Sequence, residues 1–282
     1  MAAVCIIGAG ELGAAVADAL ARAERVPNVL LIDAAGAIAA GKALDIQQAG
    51  AVTGVHTRIA GTDDVTRAAG CSVCVVADRA GQGAGEWQGE EGLAMLIRAL
   101  PYLGDCPIVF AGATQAGLME SAAREAHVRR QRLIGSAAEA LASAVTAIVA
   151  MEAGCSPVEV RLTVLGSPPR GFVVPWSEAS IGGYALERVL DQVQLQRLEG
   201  RTARLWPPGP FTLGLAAARV AEAVVVSSRR AFSVLTVLDG EIGVRGRAGA
   251  LPSLLSTSGI VQTRVPTLST RERVLLETAL GA

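Results

Sequence analysis

A glycine-rich segment near the amino terminus is the first place where residue types and their spacing predict chemistry. The apolar run Val4-Cys-Ile-Ile7 leads into Gly8-Ala-Gly-Glu-Leu-Gly13, and a helical pattern follows. In such a turn the first glycine permits the tight bend, the second lets amides approach a pyrophosphate, and the third lets the helix pack on the strand. The helix start adds a partial positive charge. The sequence therefore predicts a phosphate-binding turn that comprises Gly8, Gly10, Glu11, Leu12 and Gly13.

An acidic residue ends the second predicted strand. Asp33 closes the apolar run that starts at Val29, and it comes 20 residues after Gly13. In a dinucleotide-binding unit a carboxylate at this distance accepts hydrogen bonds from ribose hydroxyls. Ala34 and Ala35 follow. Because neither can pair with a 2′-phosphate, the sequence predicts NAD rather than NADP.

Two further positions complete the predicted cofactor contacts. They are Ala77 and Ala111, at the ends of the fourth and fifth predicted strands. The alternative is a vestigial cleft, in which the glycines serve only the packing of the helix on the sheet. The residue pattern leaves both interpretations open.

Short apolar runs bounded by turn residues give the elements that position this turn. They predict six strands in the first half, near 3–7, 29–33, 57–60, 72–77, 107–111 and 132–134, with helical patterns in most of the gaps. Short apolar strands that alternate with helices indicate a parallel sheet covered on both faces. The expected fold is therefore a doubly wound α/β architecture.

The second half of the chain has a different pattern. An Ala-rich helix at 137–151 precedes strands near 160–165 and 172–174, helices near 184–198 and 213–227, and strands near 232–238, 251–256 and 261–265. A final helix is predicted from Ser269, whose hydroxyl suits a cap, to about Leu280. We place a boundary near residue 136, between a Rossmann nucleotide-binding domain at 1–136 and an α+β domain at 137–282.

Composition excludes several classes of partner. The chain has 282 residues and a formal net charge of −1, and Lys42 is its only lysine. Scattered arginines make no patch for nucleic acid, so a small neutral or anionic ligand is expected. The apolar stretch 140–151 is too short to span a bilayer, and the start at Met1 lacks the pattern of a signal peptide. We therefore expect a cytoplasmic protein without membrane contact.

The cysteines predict no metal centre. Cys71 and Cys74 form a C-x-x-C pair, but they lie in an apolar run typical of a buried strand. No second Cys or His pair stands at ligand spacing. They are therefore expected to be reduced thiols of the core rather than a zinc or redox pair.

Several segments, in their order along the chain, resemble the malate and lactate dehydrogenase family. They are Gly41–Asp45, Ala60–Asp64, Val164–Gly166, Val174–Pro175, Ile181–Gly183, Leu238–Gly243 and Val265–Arg273. The resemblance extends over nearly the whole chain. It implies an NAD-binding Rossmann domain followed by a domain for substrate binding and oligomerisation.

The resemblance also implies a reaction and the residues that perform it. In this family a histidine, held by a buried aspartate, takes the hydroxyl proton of a 2-hydroxy acid while a hydride leaves, and arginines bind the substrate carboxylate. The histidine position falls in Gly166-Ser-Pro-Pro-Arg-Gly171, which contains none. By register Leu141 takes the place of the aspartate and Ala144 that of an arginine.

The loops depart from the family pattern as well. The resemblance implies arginines where Gln82 and Gln88 stand, and an asparagine where the chain has Ala111-Gly-Ala113. The two histidines, His56 and His127, are predicted toward the amino-terminal edge of the sheet, whereas ligands bind at the carboxyl edge. The sequence therefore predicts that the hydride-transfer chemistry of the family is lost.

A degenerate site is expected where the substrate of the family would lie. Arg170 stands beside the vacated histidine position and is either an anion contact or a solvated loop residue, and Thr212 is more often a helix cap than a pocket residue. The candidate residues of this site are Gln82, Glu86, Leu141, Ala144, Ser167 and Arg170.

Three functions compete at this point. The first is a non-catalytic homologue that binds NAD or a related nucleotide as a sensor or subunit. The second is a working oxidoreductase on another 2-hydroxy or 2-oxo acid, with Glu86 as an unrecognised acid or base. The third is a structural interaction protein with a vestigial cleft. The helix at 137–151 is apolar nearly all round, which favours burial in a homo-oligomer or against a partner protein over burial within one subunit.

Overall fold

A parallel sheet forms the first half of the molecule. The computed structural model describes residues 3–281. Its first six strands are β1 (Ala3–Ile7), β2 (Asn28–Ile32), β3 (Arg58–Thr62), β4 (Val73–Val76), β5 (Ile108–Phe110) and β6 (Leu133–Gly135). They lie in the order β3-β2-β1-β4-β5-β6, all parallel. This order confirms the doubly wound fold, and its direction of winding reverses between β1 and β4.

Helices cover both faces of this sheet. They are α1 (Glu11–Ala23), α2 (Gly36–Thr53), α3 (Gly89–Leu103) and α4 (Ala116–Arg124). Alternate residues of β1 point to opposite faces: Val4 and Ile6 belong to the apolar cluster with α1, and Cys5 and Ile7 to the cluster with α3 and α4. The strands covered on both faces are therefore short, almost wholly apolar runs, as the sequence predicted, whereas the edge strand β3 contains Arg58 and Thr62 and is not buried.

The second half extends the same sheet with antiparallel strands. It contains α5 (Ala137–Ala153), β7 (Val160–Arg161), β8 (Leu165–Ser167), β9 (Gly171–Val173), β10 (Ser180–Ile181), β11 (Tyr184–Ala185), α6 (Leu186–Val189), α7 (Gln192–Thr202), α8 (Pro210–Val225), β12 (Ala231–Asp239), β13 (Arg245–Ser256), β14 (Gly259–Thr263) and α9 (Thr270–Leu280). β12 joins β6 through the pair Leu235 and Gly135, and the sheet continues through β13, β8 and β9. The hydrogen-bonded sheet thus crosses the position near residue 136 where the sequence predicts a boundary, and the division into two domains stays a prediction.

Two elements of the second half differ from the sequence-based expectation. The strand predicted at 160–165 is two strands, because β7 pairs with β10 in a small sheet whereas β8 pairs with β13 in the large one. The helix predicted at 184–198 is interrupted at Asp191, whose carboxylate accepts the amide hydrogen of Gln194 in a capping box that starts α7. A local capping box divides the helix, whereas pairing with two different sheets divides the strand.

Two helices of the second half test finer expectations. Ser269 caps α9 in a capping box with Glu272, as predicted. On α5, Ser143, Ala147 and Met151 form an exposed stripe at intervals of four residues, so burial of this helix against a second copy or a partner protein stays a prediction. Within residues 3–281, no helix is long and apolar enough to cross a membrane.

A substitution at Phe110 tests the packing of the sheet against α3 and α4. Phe110 is fully buried at the end of β5. Phe110→Ala is expected to lower the free energy of unfolding by about 3–5 kcal/mol, since truncation leaves a cavity in the core. Phe211→Ala is the matched control, because Phe211 is 85% exposed and its loss should change stability by less than about 0.5 kcal/mol. Urea unfolding measures both, and equal midpoints would contradict this account of the core.

Candidate nucleotide-binding cleft

The predicted phosphate-binding turn lies at the carboxyl edge of the sheet, where β1 and β4 are neighbours. Gly8 has a φ of +111°, a conformation that side chains rarely tolerate. A Cβ at Gly13 would overlap the carbonyl oxygen of Gly8. Both glycines are therefore needed for the close approach of α1 to β1, as the motif predicts.

The amides of this turn donate to a carboxylate of the chain itself. Asp78 is the second residue after β4. Its carboxylate accepts hydrogen bonds from the N–H groups of Leu12 at 3.1 Å and Gly13 at 2.8 Å. Its backbone carbonyl accepts from the N–H of Gly10 at 3.0 Å. A Cβ at Gly10 would overlap this carboxylate. The Asp78 carboxylate thus accepts from the amides that the sequence assigns to a pyrophosphate. This contact was not predicted from the sequence.

Asp33 stands at the predicted place but has different partners. Its two carboxylate oxygens accept from the N–H groups of Ala9 at 2.8 Å, Ala35 at 2.9 Å and Ala80 at 2.9 Å. The residue is only 6% exposed. In this structure the carboxylate therefore ties the glycine turn to the segment after β4, instead of facing outward toward a ribose.

Glu86 makes a third contact of the same kind. Its carboxylate accepts from the N–H groups of Ala113 at 2.9 Å and Thr114 at 2.7 Å, and from the Thr114 hydroxyl at 2.5 Å. A Cβ at Gly112 would overlap it. The candidate acid or base of the oxidoreductase hypothesis is therefore held as an acceptor of protein hydrogen bonds.

Asp78 and Glu86 belong to one segment, Asp78–Gln88, which we call the docked loop. The two residues form a β-bridge, and the N–H of Arg79 donates to the carbonyl of Gly85. The side-chain amide of Gln115 donates to the carbonyls of Ala77 and Trp87 at 3.1 and 3.0 Å. The loop therefore lies as a narrow hairpin across the ends of β4 and β5, over the fully buried Ala77 and Ala111.

Several other side chains around the glycine turn and the docked loop are exposed or partly exposed. Glu11 and Gln82 are exposed. The guanidinium of Arg79 pairs with Glu91 at 2.6 Å and stands 5.3 Å from the centre of the Trp87 ring, where a cation is attracted by the ring face. Lys42 donates to the carbonyl of Gly10 at 2.8 Å, which leaves its ammonium group at the rim of the glycine turn.

The degenerate-site residues of the second half do not form a polar constellation. Leu141 is fully buried in an apolar cluster with Val164, Leu186 and Leu198. On the same helix Ala144 is partly buried, Ser167 is buried in β8, and Arg170 is exposed. The position that the resemblance assigns to an aspartate thus contributes to the core, because a leucine there is stabilised by burial.

The histidines lie away from this edge. His56 and His127 are both exposed and precede β3 and β6 in the chain. They stand toward the amino-terminal edge of the sheet, so the expectation that they are surface residues is confirmed. With two histidines in the chain, no imidazole is left for the carboxyl edge.

A buried carboxylate that the sequence analysis did not select lies on α5. Burial raises the pKa of Glu139, and the pairing with Arg230 at 2.9 Å opposes that rise. The carboxylate also accepts from the N–H of Ser233 at 2.8 Å, and it lines a cavity of about 800 Å³ together with Ser143 and Arg161. A single charge in the first turn of an apolar helix was the available sequence signal.

Three cysteine side chains lie close together on the face of the sheet that α3 and α4 cover. The sulfur of Cys71 lies 3.2 Å from that of Cys5 and 3.6 Å from that of Cys106, and all five cysteines are free thiols. The hydrogen bond with Cys106 lowers the pKa of Cys71, but the hydrogen bond with Cys5 and burial outweigh it and raise the pKa to about 12. Cys71 is thus a neutral thiol at physiological pH, with little nucleophilic character.

Comparisons with known proteins agree with this fold. No protein-family model matches the chain. Malate dehydrogenase of Cytophaga hutchinsonii is 27% identical, over 98% of this chain and 94% of its own length. That of Thermomicrobium roseum is 26% identical, over 99% and 95%. Two solved structures superpose on nearly the whole chain. A malate dehydrogenase from Aeropyrum pernix has a TM-score of 0.86 and 21% sequence identity, and the match covers 99% of this chain and 95% of that one. A lactate dehydrogenase from Cryptosporidium parvum, in complex with lactic acid and NAD, has a TM-score of 0.88 and 20% identity, and the match covers 99% of this chain and 94% of that one.

The fold, with a doubly wound first half and an antiparallel second half, is thus shared with solved structures of malate and lactate dehydrogenases. In sequence the chain is similar to malate dehydrogenases over nearly its whole length, and the resemblance noted in the sequence is confirmed.

The role of Asp33 as an internal acceptor has a measurable consequence. Asp33→Asn removes the negative charge and turns an N–H₂ group toward backbone donors, which leaves buried amides without acceptors. We expect a loss of about 2–3 kcal/mol in the free energy of unfolding. Asp45→Asn, at an exposed position of α2, is the matched control and should change it by less than about 0.5 kcal/mol. Equal stability of the two variants in urea would show that the Asp33 contacts contribute little.

Proposed function

We propose that this chain is a relative of malate and lactate dehydrogenase that binds NAD(H) without performing the hydride transfer of that family. The observation that carries the proposal is the apolar burial of Leu141 at the position that the resemblance assigns to the aspartate. The position that the resemblance assigns to an arginine holds Ala144, and the segment Gly166–Gly171, where it places the histidine, contains none.

The expected loss of rate follows from how much each missing group contributes to hydride transfer. A positioned general acid or base contributes roughly 10²–10⁴-fold to rate, and bidentate arginines fix a substrate carboxylate in the reactive orientation. This chain has neither at the family positions. Loss of both groups should reduce turnover of a 2-hydroxy acid by several powers of ten.

The binding half of the proposal rests on the donors at the carboxyl edge. The N–H groups of Leu12 and Gly13 converge on one anion position, and the Asp78 carboxylate is the anion there. The donor set therefore suits a phosphate oxygen, since helix-start amides and the helix dipole favour negative charge. NAD, when bound, supplies a nicotinamide able to exchange a hydride. The residues of this chain that would hold it are those of the glycine turn, whereas the Asp33 carboxylate accepts from backbone amides.

A protein of this kind would act through its bound state instead of through turnover. A sensor of the nucleotide, or a subunit of a larger assembly, fits a binding site without chemistry. The exposed stripe of α5 at Ser143, Ala147 and Met151 leaves room for a second copy or a partner protein, which we propose together with a cytoplasmic location and the division near residue 136.

The competing function is a working oxidoreductase on a different 2-hydroxy or 2-oxo acid. Glu86 is the one carboxylate at this edge that the sequence analysis offers as its acid or base. Its contacts with Ala113 and Thr114 disfavour that role, because a group that accepts three hydrogen bonds from the protein must give them up to exchange a proton with a substrate.

Calorimetric titration with NADH, run beside an absorbance assay with oxaloacetate and pyruvate, tests the proposal. We expect saturable binding of NADH and no oxidation of NADH above the rate without protein, since the proton donor and the carboxylate clamp are missing. Malate dehydrogenase of Cytophaga hutchinsonii serves as the active control. Steady oxidation that is lost in Glu86→Gln would establish the competing oxidoreductase, and absence of binding would favour a structural protein with a vestigial cleft.

A further inference from the structure

We infer that the docked loop is an intramolecular occupant of the nucleotide cleft, so that the Asp78 carboxylate and a phosphate of the nucleotide compete for the same backbone amides. The inference rests on the proposed function, because it concerns the regulation of the same site. It makes NAD(H) binding conditional on release of the loop.

The docked loop uses backbone amides at the start of α1. Asp78 accepts the hydrogens of Leu12 and Gly13 at 3.1 and 2.8 Å, which are the second and third residues of α1. These donors have no intrahelical partner in any helix. A pyrophosphate would accept hydrogen bonds from the same donors, so the pyrophosphate and the Asp78 carboxylate would bind at one position.

A phosphate and the Asp78 carboxylate cannot bind these amides at the same time. An oxygen of a phosphate cannot stand at hydrogen-bonding distance from Leu12 and Gly13 while the Asp78 oxygens stand there, because both would fill the same space. Like charges would also repel at this separation. The space is narrow as well, since a single Cβ at Gly10 would already overlap the carboxylate. Binding of phosphate at this turn therefore requires that Asp78 leave.

The docked loop is anchored at both ends by hydrogen bonds, and exposed glycines form the tip between the two anchors. Asp78 is fixed at one end, and Glu86 is held by Ala113 and Thr114 at the other. Between them Gly81 and Gly83 have φ values of +117° and +70° and are exposed. A glycine-rich tip lets the hairpin open with little steric resistance.

The expected effect is a lowered apparent affinity. A ligand that binds only the open form has an apparent dissociation constant equal to its intrinsic constant divided by the open fraction. Removing the competing carboxylate raises that fraction. Loss of the Asp78 carboxylate should therefore tighten NADH binding at least tenfold, provided that the fold is kept.

Calorimetric titration of the full chain with NADH compares the wild type, Asp78→Ala, Glu86→Gln and the control Asp45→Ala. Asp78→Ala removes the competitor and Glu86→Gln weakens the other end of the loop without touching α1. Both are expected to lower the dissociation constant of NADH, Asp78→Ala by at least tenfold, whereas Asp45→Ala should stay within twofold of the wild type. Circular dichroism checks that each variant is folded.

A second readout uses the wild type alone and stands even if Asp78→Ala fails to fold. Hydrogen exchange of the Trp87 amide, which donates to the Ala77 carbonyl in the docked loop, should become faster on addition of saturating NADH. Binding that leaves this exchange rate unchanged, or equal dissociation constants for the wild type and both loop variants, would overturn the competition and leave the proposed function intact. Absence of NADH binding by the wild type and by every folded variant would overturn the proposed function, and the competition with it.

Discussion

The amide hydrogens at the start of α1 impose the constraint on which the cleft depends. The first amides of a helix have no partner within it, and an unpaired buried donor costs about 1–3 kcal/mol. At a switch point between β1 and β4 these donors face a narrow space that the glycine turn keeps clear of side chains. An acceptor must therefore come from a ligand, from water or from the chain itself. Here it is Asp78, and the arrangement of the docked loop follows from that contact.

The second half of the molecule shows the same principle in apolar form. Once a buried carboxylate and its partners are absent, a leucine at the same helix position gains from burial what a charged group would lose by desolvation. Leu141 accordingly packs with Val164 and Leu198. A polar site and an apolar core are alternative solutions for the same space between α5 and the antiparallel strands, and this chain has the apolar one.

Much of the fold could be predicted from the sequence because its signals are local. The strands β1 to β6, the glycine turn and the Ser269 cap each depend on residues close together in the chain. The strand predicted at 160–165 failed because its two parts pair with different sheets, which no local pattern records. The position of Asp33 was predicted correctly, but its partners were not, since one of them is the amide of Ala80, in a segment 47 positions away.

The role of Asp78 was beyond the reach of the pattern for the same reason. An acidic residue in a glycine-rich loop is ordinarily solvated, and only the folded chain brings it within hydrogen-bonding distance of a helix 65 positions earlier. Glu86 is equally ambiguous in sequence, because a loop carboxylate near a candidate site suits a proton acceptor as well as a structural contact.

The overlap between a Cβ at Gly10 and the Asp78 carboxylate bears on how such a chain changes over generations. Any larger residue at this position would displace the Asp78 side chain from the turn, so selection for the docked contact retains the glycine whether or not a nucleotide is ever bound. A Cβ at Gly13 would likewise overlap the Gly8 carbonyl. A glycine fingerprint can therefore outlive its ligand, and its presence in a distant relative records the geometry of a turn more faithfully than the use to which that turn is put.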